Sequence, residues 1–253
     1  MRSAIAALLL ALAVPAAAVP SFTQDSFVSL ATATPLAFDS VQTYPMRLYF
    51  MRDSSSSTDI LSAMSPEGQV WTVEAGARLS TRTIPSVSAS SITGLGVLPL
   101  TGGGFRAAYS IISTTGSWRI HTATSTDGFS WANDTGTAFE YSGGADYVAA
   151  PALVKLDSGD WRIFFVRDNN GGNNPGDRFI YTALSTNQGR NWGAASVVVS
   201  TVAYQVGAGK RADGRVRLFY SQPSATNSSS TVIASSLSDD ALATAFTAES
   251  GLR

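Results

Sequence analysis

The sequence lacks cysteine and has a single histidine among its 253 residues. Without cysteine no disulfide can form, so packing alone must stabilise the fold. One histidine excludes a metal site built from several histidines. Only 14% of the residues are charged and the formal net charge is -1. Such a surface offers no electrostatic footprint for nucleic acid or for an anionic membrane.

Long apolar runs are also scarce, and the longest lies at the N-terminus. Residues 4–14 form an apolar run after Met1 and Arg2, and three alanines follow at positions 16–18. This pattern is typical of a secretory signal peptide, here residues 1–19. We therefore expect a secreted protein, extracellular or periplasmic, with no membrane insertion and with residues 20–253 forming a single domain.

A stretch of about twelve residues recurs along the chain. Copies lie at residues 60–71, 120–131 and 180–192, and each starts 60 residues after the previous one. A weaker fourth copy covers residues 233–246. A fixed period of this length indicates one supersecondary unit that is repeated, because each copy is too small to bury its own apolar face.

Each copy combines an alternating strand pattern, a turn with Ser, Asp or Asn and Gly, and a large aromatic residue. Residues 185–192 resemble the Asp-box of sialidases and related β-propellers, Ser-x-Asp-x-Gly-x-x-Trp, with Asn187 in place of Asp. Residues 65–71 and 125–131 are one residue shorter. The resemblance implies an architecture rather than a chemistry. The closing aromatic residues are predicted to be buried between blades: Trp71, Trp131, Trp192 and, with a smaller contribution, Phe246.

A second strand motif, with arginine in its second position, precedes each copy. The four arginines are Arg47, Arg106, Arg162 and Arg217, and the repetition favours a structural role. Further strands joined by Gly/Asp turns give four antiparallel strands per repeat. The sequence therefore predicts an all-β fold, a β-propeller of four-stranded antiparallel blades. Four blades are visible, and the resemblance to secreted glycosidase propellers implies five. Residues 22–30 and 246–252 compete for the outermost strand of the closing blade.

Propellers bind ligands at the end of the central channel, so the loops there hold the candidate site. Arg52-Asp53 and Arg167-Asp168 follow the second strand of two different blades. An arginine fork beside a carboxylate could hold a sugar hydroxyl or a sugar carboxylate. The alternative is that both pairs are solvated loop charges.

The loops between blades supply the remaining candidates, Arg82, Asp146 and Tyr147. In five-bladed glycosidases this junction often reads Asp-Pro-Ser-Val, which implies a carboxylate where this sequence has Ile84 and Ala150. Hydrolysis by the usual route needs two carboxyl groups, which Asp146 would have to replace in part. Two function classes therefore stay open: a binding propeller for glycans or another extracellular ligand, and a glycoside hydrolase. The catalytic residues are not assigned.

Two further features bear on cofactors. The sole histidine, His121, lies within a strand and is predicted to be packed rather than catalytic. The segment 168–177 is rich in oxygen donors, which suits Ca²⁺, although its spacing does not fit the EF-hand loop. A flexible polar loop is the alternative there. We expect no other cofactor, no resident metal and a monomer.

Overall fold

The computed structural model describes residues 33–35, 46–54, 57–66, 68, 70–84, 89–141, 146–171, 173–225 and 230–251. The predicted signal peptide and the segment 22–30 lie outside the described residues. Within the described part of the chain, no helix is long and apolar enough to cross a membrane. The only helix found there is a short 3-10 turn, Pro175–Asp177.

The strands form four antiparallel sheets, which we call blades I to IV in chain order. Blade I has an interrupted outer strand and contains β1 Ala33–Pro35, β2 Met46–Asp53, β3 Thr58–Ser65, β4 Thr72–Val73 and β5 Leu79–Ser80. Blade II contains β6 Ala89–Pro99, β7 Phe105–Ser113, β8 Trp118–Ser125 and β9 Ala132–Asn133. Blade III contains β10 Val148–Lys155, β11 Trp161–Asp168, β12 Arg178–Ser185 and β13 Ser196–Val199. Blade IV contains β14 Gln205–Lys210, β15 Val216–Pro223, β16 Thr231–Ser238 and β17 Phe246–Ala248.

The predicted propeller of four-stranded blades is confirmed, with four blades among the described residues. Of the two segments that competed for the closing outer strand, the C-terminal one pairs with blade IV. Phe246 lies opposite Ser238 and Ala248 lies opposite Ser236 in this pairing.

The core consists of three apolar clusters, each shared by two consecutive blades. The first joins blades I and II and includes Tyr49, Ile60, Leu95 and Tyr109. The second joins blades II and III and includes Ile120, Leu153, Trp161 and Phe165. The third joins blades III and IV and includes Phe164, Ile180, Leu218 and Tyr220. Because blade III packs on both faces, the centre of β11 from residue 163 to 166 is continuously apolar and buried rather than alternating.

The recurring turns have a common hydrogen-bonding pattern, clearest in blade II. The N–H of Gly128 donates to Ser125 Oγ (2.8 Å), and the N–H of Ser130 donates to Asp127 Oδ1 (2.8 Å). The backbone N–H of Ser130 is the largest of several hydrogen bonds that lower the pKa of Asp127 to about 2. The serine-to-glycine bond recurs in two other blades, between Ser65 and Gly68 and between Ser185 and Gly189. Glycine is required because its φ is positive, +71° at Gly128.

The repeated arginines have structural contacts, as predicted, and three of the four join neighbouring blades. Arg47 Nη1 donates to Asp127 O of the next blade (2.6 Å), and Arg106 Nη1 donates to Gly189 O (3.4 Å). Arg162 Nε donates in the same way to Leu242 O. Each of these carbonyls belongs to the recurring turn of the following blade. The arginine thus fastens one blade to the turn of the next.

The tryptophans that close the recurring turns are less buried than predicted. Trp71, Trp131 and Trp192 are all only partly buried. Trp131 packs edge-on against Tyr49 of blade I, with ring centroids 5.9 Å apart, and Trp192 packs against the cluster between blades II and III. The fully buried tryptophan is Trp161, the first residue of β11. Trp131 and Trp192 therefore lie at the edge of an interface cluster rather than inside it.

Candidate functional site

One end of the propeller collects the loops that follow the second strand of each blade, and we call it the ligand end. Both β2 and β11 are second strands of their sheets and run in the same sense. Arg52 and Asp53 are the last residues of β2, and Arg167 and Asp168 are the last residues of β11. The two Arg-Asp pairs therefore lie at the same end, as the repeat implied.

In blade I, the predicted charges are satisfied by their own hairpin. Arg52 Nη2 lies 2.8 Å from Asp59 Oδ2, and its side chain is 59% exposed. That hydrogen bond is the main reason why the pKa of Asp59 is lowered. Asp53 accepts a hydrogen bond from Thr58 Oγ1 (2.9 Å). Arg82 is also exposed. The Arg52-Asp53 pair thus fits the alternative interpretation as loop charges rather than a ligand site.

In blade III, by contrast, the structure brings two predicted residues from different loops together. Arg167 Nη2 lies 3.4 Å from Asp146 Oδ2, and the Asp146 side chain is only 3% exposed. The guanidinium carbon of Arg167 also lies 3.6 Å from the ring centroid of Tyr141 and 5.2 Å from that of Tyr181. Arg167 is thus held between a buried carboxylate and two tyrosine rings.

Tyr147 lies beside this group but is almost fully buried. Its ring centroid is 4.4 Å from that of Trp118, and the guanidinium of Arg178 stacks at 3.6 Å on its ring. Burial raises the pKa of the Tyr147 hydroxyl. The ring of this predicted ligand-binding residue therefore packs against Trp118 and Arg178, and little of its surface is left for a ligand.

The polar loop after β11 forms the rim of the ligand end. Asn169 accepts a hydrogen bond from the Tyr181 hydroxyl (2.9 Å), and Asn173 accepts one from Arg178 Nη2 (2.6 Å). Asp168 is fully buried at the base of the loop. Burial is the main cause that raises the pKa of Asp168, and the neighbouring carboxyl of Asp177 adds to it.

Sequence reasoning missed four members of this group: Trp118, Tyr141, Tyr181 and Arg178. Cross-strand pairing brings two of them into place, because Asp168 lies opposite Arg178 and Phe165 lies opposite Tyr181. The sequence does place Arg178 and Tyr181 at the start of the strand that follows the predicted loop, and this position could have identified them as candidates. Trp118 and Tyr141 come from blade II and carry no comparable signal.

The two positions where the resemblance implies carboxylates are part of the packing. Ile84 is buried in the cluster between blades I and II. Ala150 has a left-handed backbone, with φ +54°, and its N–H donates to Ser110 Oγ (3.2 Å). A Cβ at Gly94 would come within 2.8 Å of Ala150 Cα, so β6 and β10 approach closely here. Neither position supplies a charged group to the ligand end.

His121 is packed, as predicted. It is 4% exposed, and its Nδ1 lies 3.0 Å from the carbonyl oxygen of Gly136. Burial lowers the pKa of the ring. Over the described ranges, no group of three or more His, Cys, Asp or Glu side chains is arranged to hold a metal ion.

Neither a family model nor a curated protein sequence matches the chain. Solved structures do resemble it. A thermostable family-43 glycoside hydrolase aligns with TM-score 0.61 and 14% identity, covering 90% of this chain and 76% of its own. An endo-arabinase from Bacteroides thetaiotaomicron VPI-5482 aligns with TM-score 0.61 and 12% identity, covering 81% and 76%. A levansucrase mutant from B. megaterium aligns with TM-score 0.65 and 14% identity, covering 87% and 69%.

The chain shares the fold of these enzymes. At 12–14% identity, the likeness concerns architecture, so function has to be argued from the site. The three structures named above are carbohydrate enzymes of other kinds by name, so the resemblance to sialidases stays a prediction.

Proposed function

We propose that this propeller engages carbohydrate at the ligand end of blade III. The observation that carries the proposal is the placement of Arg167 between Asp146 and Tyr141. The guanidinium is held on both sides, so little side-chain entropy remains to be lost when it binds a ligand. Its planar fork suits two adjacent hydroxyls or a carboxylate of a sugar.

The surroundings of Arg167 also suit a sugar. Asn169 and Asn173 on the rim are exposed, and their amides offer both donors and acceptors. Trp118 and Tyr141 are partly exposed and provide apolar ring surface nearby. A few fixed polar groups beside aromatic rings are typical of small-molecule sites.

Glycoside hydrolysis is the second candidate, and the comparisons favour it over binding alone. The similar structures include a family-43 glycoside hydrolase and an endo-arabinase. Against it, Ile84 and Ala150 lack carboxyl groups, and the Asp146 carboxylate is nearly buried and paired with Arg167. Hydrolysis by the usual route would need a second carboxyl group facing the ligand.

A glycan array together with a panel of chromogenic glycosides separates the two candidates. Binding without turnover supports recognition alone. Turnover that disappears in Asp146→Asn, while the circular dichroism spectrum is unchanged, establishes the hydrolase. The absence of both binding and turnover across the panels contradicts the carbohydrate proposal.

Replacing Arg167 with alanine should weaken binding of whichever glycan the array selects by about 10- to 100-fold, which corresponds to the roughly 1.5–3 kcal/mol of a charge-assisted hydrogen bond. Titration calorimetry at constant salt measures the effect. Arg52→Ala is the matched control, because Arg52 occupies the corresponding position of blade I and bonds within its own hairpin. Equal losses in the two variants would place the ligand elsewhere.

We also propose that the protein is exported, because residues 1–19 have the sequence pattern of a secretory signal peptide. The mass of the protein recovered from an expressing cell tests this. Loss of about the first 19 residues is expected, and an uncleaved chain in the cytoplasm contradicts export.

A further inference from the structure

The loop between β11 and β12 is built around Asp168, which is fully buried. The N–H of Asn170 donates to Asp168 Oδ1 (3.2 Å), and the N–H of Asn174 donates to Oδ2 (2.6 Å). Both oxygens of Asp168 therefore organise the loop backbone. Asp168 thus fixes the backbone at two points of the loop, Asn170 and Asn174.

The carboxyl of Asp177 lies close to that of Asp168, because Asn170 binds both of them, Asp168 through its N–H and Asp177 through its side-chain amide. Asp177 Oδ2 accepts a hydrogen bond from Asn170 Nδ2 (2.7 Å). Asp177 Oδ1 is buried and has no donor among the protein groups of the structure. Ionised carboxylates only accept hydrogen bonds, so two of them in contact repel each other and leave Oδ1 unsatisfied.

We propose that Asp168 and Asp177 share one proton, and that release of this proton as the pH rises loosens the loop at the rim of the ligand end. With the proton present, one carboxyl donates to the other, which supplies the donor that Asp177 Oδ1 lacks. Without it, two adjacent negative charges remain in a largely buried position. The inference does not depend on the proposed carbohydrate function, because it concerns the free protein.

The surrounding charges do not replace the proton. Arg178 lies opposite Asp168 in the sheet, but its guanidinium bonds Asn173 and stacks on Tyr147. Arg167 is paired with Asp146. Among the described residues, no recorded ion pair reaches Asp168 or Asp177. The Tyr181 hydroxyl donates to Asn169, and the Asp146 carboxylate, which faces Gly171 of the same loop, is engaged by Arg167.

The direction of the effect follows from the raised pKa of Asp168, which burial and the Asp177 carboxyl both cause. A carboxyl whose pKa is raised on folding contributes stability while it is protonated. That contribution is complete below the ordinary carboxyl pKa and is lost as the pH rises through the raised value. The loop is therefore expected to be most ordered below the raised pKa of Asp168 and to loosen above it.

Carboxyl ¹³C chemical shifts of the full mature chain, titrated from about pH 3 to about pH 9, test the proposal. One carboxyl of the pair should titrate well above the ordinary range. Over the same rise in pH, the amides of Asn170 and Asn174 should exchange with solvent at least about tenfold faster, beyond the intrinsic effect of pH, because their acceptor becomes displaced.

Asp177→Asn should abolish both changes, since an amide donates to Asp168 at every pH. Asp53→Asn is the matched control, because Asp53 ends the corresponding strand of blade I and is exposed; this variant should retain both changes. Two carboxyls that titrate in the ordinary range would overturn the proposal. It would equally be overturned if added Ca²⁺ slowed amide exchange in the loop of the wild type but not of Asp177→Asn, because a cation would then take the place assigned to the proton.

Discussion

Replacing Trp161 with alanine should lower the free energy of unfolding by about 3–5 kcal/mol, the range for removal of a large aromatic side chain from a core. Trp161 is fully buried and belongs to the cluster that joins blades II and III. The truncation would leave a cavity at that interface, and the strands around it cannot close it because the ladder of β11 with β10 and β12 fixes their spacing. Urea denaturation monitored by circular dichroism measures the loss.

Two further variants show whether the loss arises from packing. Trp161 Nε1 has no hydrogen-bond partner, so Trp161→Phe removes volume but no bond and should cost less than the alanine variant. Trp71→Ala should cost less still, because Trp71 is partly exposed and belongs to none of the three clusters. If the urea denaturation midpoint of Trp161→Ala equalled that of the wild type, the assignment of Trp161 to the core would be contradicted.

The repeat predicted the fold because the period is encoded in residues that face the blade interfaces. Ile60, Ile120 and Ile180 occupy equivalent positions and are all almost completely buried. Ile233, at the same position of blade IV, is only partly buried. The sequence pattern identifies the position, but burial depends on which blade packs against it, and the pattern of a single strand does not contain that information.

The candidate site was predicted only in part, for a similar reason. Asp146 and Arg167 were each identified from loop position, but as separate groups. They meet because Val148 pairs with Arg167, which brings the start of β10 beside the end of β11. The stacking of Tyr141 on Arg167 depends on a loop of blade II, whose path has no local sequence signal. The Arg-Asp pair of blade I has the same sequence, but Asp59 lies opposite Arg52 and binds it within the hairpin.

The arginines that repeat in the second strands form ion pairs within three blades, and three of them also bind the next blade. In blades I, II and IV the arginine is paired with the acidic residue that directly follows the outer strand of its own blade: Glu74, Asp134 and Glu249. A serine or threonine of the third strand donates to the same carboxylate: Ser62, Thr122 and Ser235. The trio ties three strands together within a blade, and the guanidinium has further donors to reach the next blade.

Arg106 is the most buried of these ion-paired arginines, and Arg106→Ala should lower the free energy of unfolding by about 2–4 kcal/mol. Its side chain is 4% exposed, and its Nη1 lies 2.5 Å from Asp134 Oδ2. The loss should fall below that of a completely buried pair, because Asp134 is 33% exposed and can be hydrated after Arg106 is removed. Urea denaturation of the two single variants and of the double variant with Asp134→Ala gives the coupling energy between the residues.

Arg217→Ala is the matched comparison, because Arg217 has the same strand position and the same kind of acidic partner. Its side chain is 25% exposed, and its recorded hydrogen bond goes to Glu249 within blade IV. The expected cost is about 1 kcal/mol or less, as for partly exposed ion pairs. If both arginines cost the same, the ion pair within the blade would account for the whole effect. A larger cost at Arg106 would show that burial of the guanidinium against the Gly189 turn of the next blade contributes to holding the propeller together.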